Sequence, residues 1–187
     1  MPHGEGGVCR CGWVNLKNPL YVRYHDREWG VPLHEDGRLF ELLLLECFQA
    51  GLSWAIVLKK REAFRRALDG FDAEKIAAYG EEKIQSLLQD ESIIRSERKL
   101  RAAVTNAQTY LRIRQEFGSF GEYLWRFVNH KPLRGESFPP PASTPLAERL
   151  SKDLRKRGMK FAGPVIVYSF MQASGMTNDH EPDCFRA

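Results

Sequence analysis

Apolar residues recur along most of the chain at spacings of three and four, and the strict alternation of a half-buried strand is scarce. The pattern predicts a helix from Asp36, read as its cap, through about Gln49, with Gly51 near its end. A second helix opens at Ser53, carries Ile56, Val57 and Leu58 inward and ends near Gly70. Asp72 caps a short helix that stops at Gly80, and another covers Glu81 to Gln89. The longest runs from about Ser96 to Phe117 and is ended by Gly118. Ser119, with Glu122 three residues on, forms a capping box for a helix to about Val128. Pro132 and the run Pro139–Pro141 mark 129–144 as an extended loop. Thr144 and Pro145 open a helix ended by Gly158, and Pro164 opens the last, ended by Gly175. The expectation is an all-α fold of about nine helices without internal repeats. Residues 9–187 form one domain of two closely packed lobes, behind a flexible extension at 1–8.

Composition narrows the class. The chain has 187 residues, 43% of them hydrophobic, which is enough to bury a real interior. Its net charge of +4 suits a polyanion such as DNA but also suits many other proteins. The longest apolar run, Leu42 to Leu45, is far too short to cross a bilayer, and the first ten residues lack the apolar core of a signal peptide. A cytoplasmic protein with no membrane partner is expected, and nothing argues against a monomer. In that compartment the four cysteines read as metal ligands, core filler or reactive thiols rather than disulfides.

Among the five histidines and four cysteines, two groups stand out: Cys9, Cys11 and His25 near the N-terminus, and His180 and Cys184 at the other end. A spacing of four places His180 and Cys184 together on a helix face or in a tight loop. Cys11, His25, His180 and Cys184 would make a Cys2His2 zinc site that ties the chain ends together. The intervals are not those of a zinc finger, so spacing alone leaves open that these are scattered core or surface residues.

The residues around them carry more. Cys11-Gly-Trp-Val, Tyr21-Val-Arg-Tyr24-His25-Asp26 and Glu28-Trp29-Gly30-Val31-Pro32 stand near the N-terminus. Leu39-Phe40-Glu41, Leu45-Glu46, Gln49-Ala50-Gly51-Leu52-Ser53-Trp54 and Val57-Leu58-Lys59-Lys60-Arg61-Glu62 follow. The C-terminal third adds Lys156-Arg157-Gly158, Lys160-Phe161, Gly163, Tyr168-Ser169-Phe170-Met171-Gln172-Ala173 and Asn178-Asp179-His180. From residue 11 to 184 the chain resembles the 3-methyladenine DNA glycosylase I family. The resemblance implies a helix-hairpin-helix glycosylase fold with one structural zinc (Zn2+) joining the termini on Cys11, His25, His180 and Cys184. Cys9 is then a spare thiol, and Cys47, in an apolar helix, is core filler.

The resemblance further implies a repair enzyme that flips 3-methyladenine out of double-stranded alkylated DNA and hydrolyses its glycosidic bond. Glu46 is the carboxylate that recognises the damaged base. Trp13, Tyr21, Tyr24 and Trp54 are the aromatic walls, and Gln49 is a further polar contact. The physical logic suits a cationic base: a carboxylate and ring faces gain more from it than from neutral adenine. With no lysine at the Schiff-base position, an enzyme that only leaves an abasic site follows. No aspartate stands after the hairpin, where related glycosylases use one. Read without the resemblance, Glu46 is a structural buried carboxylate, Trp13, Trp29 and Trp54 are core aromatics, and Tyr21 and Tyr24 pack on the metal ligands. Trp29 is assigned to the core in either reading.

The hairpin is expected at 89–95, with Ser92, Ile93, Ile94, Arg95 and Lys99 contacting DNA, mostly through backbone N–H groups offered to phosphates. Two positions depart from the family pattern: Ser92 where glycine would allow a positive φ, and Glu97 where the family is neutral or basic. Lys59, Lys60, Arg61, Lys156, Arg157 and Lys160 could compensate. Two rival readings are a DNA-binding module without catalysis and a zinc-stabilised helical interaction protein.

Overall fold

The computed structural model describes residues 7–135 and 137–187. Most of the extension expected at 1–8 therefore lies outside the described residues. Nine α-helices run in chain order among the described residues: α1 (Pro19–Arg27), α2 (Asp36–Gln49), α3 (Trp54–Ala67), α4 (Ala73–Ala77), α5 (Glu81–Gln89), α6 (Glu97–Phe117), α7 (Phe120–Trp125), α8 (Pro145–Lys156) and α9 (Pro164–Ala173). Eight of these fall where the periodicity and caps place them. The ninth, α1, was not read from the pattern. Its start is set by Asn18, whose side chain accepts the N–H groups of Leu20 and Tyr21, with Pro19 at the first position.

The loop at 129–144 is not wholly irregular. Leu133–Arg134 (β1) pairs in parallel with Thr177–Asn178 (β2), a two-residue ladder too short to leave an alternation signal. It pins the long loop to the segment that follows α9.

Two of the sequence expectations are corrected. Glu35, not Asp36, holds the cap position of α2, and it makes no side-chain cap bond. Asp36 instead caps another helix: it accepts the N–H groups of Phe120 (2.9 Å) and Gly121 (2.8 Å) and the Ser119 hydroxyl (2.7 Å). Ser119 in turn accepts the Glu122 N–H, so the N-terminus of α7 is satisfied from two sides. Ile56 points outward and is 43% exposed, while Val57 and Leu58 are buried. Three consecutive helical residues span too wide an arc for all to face one core.

The interior is one large cluster built on α2, α6, α7 and α9, with Phe40, Phe48, Phe64, Tyr123 and Trp125 among its fully buried side chains. A smaller cluster gathers Cys11, Val14, Tyr24, Trp29 and Cys184 from the two ends of the chain. Leu42 and Trp54 pack against both. The helices α5 and α6 are joined by the short turn 90–96, in the place expected for the hairpin.

Asp36 is held ionised below the usual carboxylate range. Burial alone would raise its pKa, but the N–H groups of Gly121 and Phe120 and the Ser119 hydroxyl outweigh it. A depressed acid stabilises the fold above its unfolded pKa and loses that contribution as pH falls through the folded one. Asp36→Ala is expected to cost about 1–3 kcal/mol in urea unfolding at neutral pH, with the gap to the parent narrowing in acid.

Candidate active site and metal centre

Three helices each send two side chains, three residues apart, to one cavity: Tyr21 and Tyr24 from α1, Glu46 and Gln49 from α2, and Ser169 and Gln172 from α9. That spacing keeps both members of each pair on one helix face. Trp54 enters from the first position of α3, and Trp13 and Trp29 flank α1. Phe138, Pro139 and Pro140 close one wall from the long loop, and Asp179, Glu181, Pro182 and Asp183 border it from the C-terminal segment. The cavity measures about 780 Å³. Ring centroids of Tyr24 and Trp54 stand 5.4 Å apart, and Trp13 packs edge-on to Tyr21 at 5.5 Å and to Trp29 at 5.0 Å.

Every side chain expected at the base pocket is thus in one place. Trp29, assigned to the core, is buried and lines the cavity as well. The sequence reading missed Ser169, Gln172, Asp179 and the Phe138–Pro140 wall as pocket residues. For Ser169 and Gln172 a signal existed, because they are a polar pair at helical spacing in an otherwise apolar helix. For the loop wall there was none.

Glu46 is 4% exposed. Burial pushes its carboxyl up to about 8, and among the described residues no neighbouring cation or hydrogen bond offsets that burial. Such a group is poised to gain from a positively charged visitor.

Cys11 lies in the loop before α1, His25 in the last turn of α1, and His180 and Cys184 in the turns after β2. All four are buried, and their donor atoms lie within 4.8 Å of one another. Cys11 Sγ is 3.4 Å from His180 Nδ1, and Cys184 Sγ is 3.5 Å from both His25 Nε2 and His180 Nδ1. The outward ring nitrogens are held by other groups, His25 Nδ1 by Asp26 (2.8 Å) and His180 Nε2 by the Trp29 carbonyl (3.1 Å). Arg10 fixes Asp26 through its guanidinium. Backbone N–H groups of Glu181 and Arg186 point at the two sulfurs. Gly30 takes φ +75 beneath His180, where any Cβ would press on the imidazole. Burial keeps both imidazoles neutral, with His180 brought down to about 4, and neutral imidazole is the form a metal ion needs. Two sulfurs and two nitrogens converging on one point, each oriented from behind, can hold a metal ion.

At the hairpin, Ser92 is exposed and needs no positive φ, because the Asp90 carboxylate accepts its N–H at 2.9 Å and shapes the turn. Ile93 is buried with its N–H toward the Asp90 carbonyl, and Ile94 packs on the main core. Arg95 is exposed beside Glu91. Lys99 donates to the carbonyls of Phe48 (2.8 Å) and Ala50 (2.6 Å), the end of α2 next to Gln49. Lys60 donates to the carbonyls of Glu91 and Ser92. These two ammonium groups therefore tie the hairpin to the cavity mouth instead of reaching into solution. Arg61 is paired with Glu28, and Arg157 with Glu116 and Asp153, while Lys59, Lys156 and Lys160 are exposed. Leu52, 37% exposed, stands on the turn between α2 and α3 at the same mouth.

The family model of the methyladenine glycosylases matches residues 13–187. The chain belongs to the methyladenine glycosylase family. The "DNA-3-methyladenine glycosylase 1" of Escherichia coli (strain K12) is 48% identical over 178 residues, covering 94% of this chain and 95% of that protein. The Haemophilus influenzae "DNA-3-methyladenine glycosylase" is 43% identical, covering 94% and 96%. Among solved structures, the 3-methyladenine DNA glycosylase I of Staphylococcus aureus, described for its recognition of 3-methyladenine, superposes with a TM-score of 0.91 at 41% identity, over 97% of each chain. The glycosylase fold expected from the sequence is the one observed. Among the described residues no helix is long and apolar enough to cross a membrane.

An acid with a raised pKa costs the fold nothing below its unfolded pKa, and the cost grows with pH until the folded value is passed. Glu46→Gln removes that cost. The variant is expected to be more stable than the parent by a few kcal/mol at pH 8 in urea unfolding, the difference closing toward pH 4.

Proposed function

We propose that the protein is a monofunctional DNA-3-methyladenine glycosylase, which takes the damaged base from double-stranded alkylated DNA into the ring-lined cavity and leaves an abasic site. The observation that carries this reading is Glu46, a buried carboxylate with no partner among the described residues, in a cavity walled by Tyr21, Tyr24, Trp13 and Trp54. A base alkylated at N3 carries a positive charge while attached to the sugar. Its charge supplies the counterion that Glu46 lacks, so binding favours ionised Glu46 and aromatic faces add cation–π attraction. Neutral adenine brings no such charge.

The chemistry needs little from the protein beyond that. The N-glycosidic bond breaks with its electron pair going to the base, which leaves uncharged and needs no proton. The sugar cation takes hydroxide from water at C1′, and the water's second proton passes to solvent. Negative charge near the cavity and the DNA phosphates stabilise the cation while it lasts. Glu46 holds the base, and Gln49 adds a second polar contact. The hairpin offers the Ile94 N–H and the Arg95 side chain to phosphates, while the Ser92 and Ile93 N–H groups are bonded to Asp90 and shape the turn. Lys99 acts by holding the hairpin to the mouth. The exposed Leu52 is placed to fill the gap left by a flipped nucleotide.

The metal is zinc, one ion with a structural role. In a tetrahedron, zinc–sulfur bonds near 2.3 Å and zinc–nitrogen bonds near 2.0–2.1 Å separate sulfur from nitrogen by about 3.5 Å, the spacing these residues already have. Four protein donors leave no position for a water to be activated, so the ion clasps the chain ends. Residues 9–187 work as one domain of two packed lobes, with the cavity between the two hydrophobic clusters. The protein works as a monomer. The unpaired cysteines fit work on DNA in the reducing cytoplasm.

Incubation with methylated duplex DNA, with products identified by chromatography, should show release of 3-methyladenine, and no release would refute the reading. In the parent, kcat/KM should rise with pH as Glu46 ionises, with its midpoint near pH 8 and a plateau above that, while Glu46→Gln should lose at least tenfold and give a flat profile. Metal analysis should find about one zinc per chain, and Cys184→Ala should lower both the zinc content and the melting temperature.

A further inference from the structure

Two amide side chains line the cavity, Gln49 and Gln172, and the polarity each one shows to a ligand is fixed by its neighbour. Gln172 Nε2 donates to Asp179 Oδ2 at 2.6 Å. A carboxylate only accepts, so the NH2 end must face Asp179 and the carbonyl end must face away. Among the described residues nothing donates to Gln172 Oε1, and the side chain borders the cavity. Gln49 follows the same rule: its Nε2 donates to the Leu52 carbonyl at 2.7 Å, which turns its oxygen outward.

Asp179 is built to hold this arrangement. It is 2% exposed, and the Tyr168 hydroxyl donates to the same Oδ2 at 2.6 Å. Its other oxygen, Oδ1, is buried without a hydrogen-bond partner and lies against Gly135, where any Cβ would collide with it. A carboxylate retained only to complete the fold would be expected to satisfy both oxygens. Here both donors converge on the oxygen that meets Gln172.

We propose that Asp179 is a positioning residue that locks the Gln172 amide with its carbonyl oxygen toward the bound base, so that the pocket selects bases with an exocyclic amine over bases with a carbonyl at that edge. This inference rests on the glycosylase reading above and assigns its specificity to a second contact besides Glu46. An amine N–H is accepted by Gln172 Oε1, whereas a carbonyl in its place meets a like dipole and leaves both oxygens unpaired.

The test compares the rates of 3-methyladenine and 3-methylguanine release from methylated duplex DNA in the parent, Gln172→Leu, Asp179→Asn and the double variant. Gln172→Leu should lower 3-methyladenine release about tenfold and leave 3-methylguanine release unchanged or raised, so the ratio collapses. Asp179→Asn should move the ratio in the same direction, and should move it no further once Gln172 is already leucine. An unchanged ratio in Gln172→Leu overturns the proposal. So does an Asp179→Asn effect that lowers both bases equally, or one that simply adds to that of Gln172→Leu; metal content and melting temperature would then report a purely structural role. If Asp179→Asn does not fold, the Gln172→Leu ratio alone still decides. A parent protein that releases neither base defeats the underlying reading instead, so the two failures are distinguishable.

Discussion

Two thiols and two imidazoles from opposite ends of the chain meet within 4.8 Å, and the positions of α1 and of the segment after α9 depend on that junction. The helix α1 has only nine residues, and of its two buried side chains Tyr24 belongs to the smaller cluster and His25 to the junction. A helix that short has little stability of its own in water. It is placed by the junction, by Tyr24 packed under Trp54, and by the Arg61–Glu28 pair just beyond its end. Tyr21 and Tyr24 face Glu46 because His25, held in the junction, fixes the turn of helix they share. A junction outside the cavity thereby sets the shape of the pocket.

The pocket is held in a state that favours its visitor. Among the described residues Glu46 is buried without a counter-charge, which costs the fold stability at neutral pH, a cost that the base cation of the proposed reaction would recover on binding. Around it the polar groups are oriented from behind: Gln49 by the Leu52 carbonyl, Gln172 by Asp179, and the end of α2 by Lys99. Lys99 and Lys60 also join this floor to the hairpin, so the turn 90–96 and the cavity keep a fixed relation. A departure from family pattern at Ser92 is absorbed locally, since the Asp90 side chain shapes a turn that no longer calls for glycine.

Much of this was legible in the chain. Helix ends came from residues whose chemistry acts locally: Asp72, Ser119 and Thr144 each cap the helix that follows them. The ligand set and the pocket rings were named from motifs, and they converge in space. The misreadings share a cause. Asp36 was assigned to its own helix but serves α7, more than eighty positions away in sequence, because a short side chain goes to whichever unsatisfied N–H groups the packing brings near. Lys60 and Lys99, read as candidates to meet DNA phosphates, also donate to carbonyls that only the assembled fold supplies.

What the sequence determined by itself, then, is what depends on neighbours along the chain: where helices begin and end, which faces are apolar, and which donors and rings are available. Tertiary structure alone decided what each polar group pairs with. It raised Glu46 by stripping away water, turned Gln172 by setting Asp179 behind it, and closed the cavity with Phe138–Pro140 from a loop that carries no periodic signal. The physical reason is that desolvation and hydrogen-bond partnership are set by what lies within a few ångströms, and in a packed fold most of that comes from distant parts of the chain.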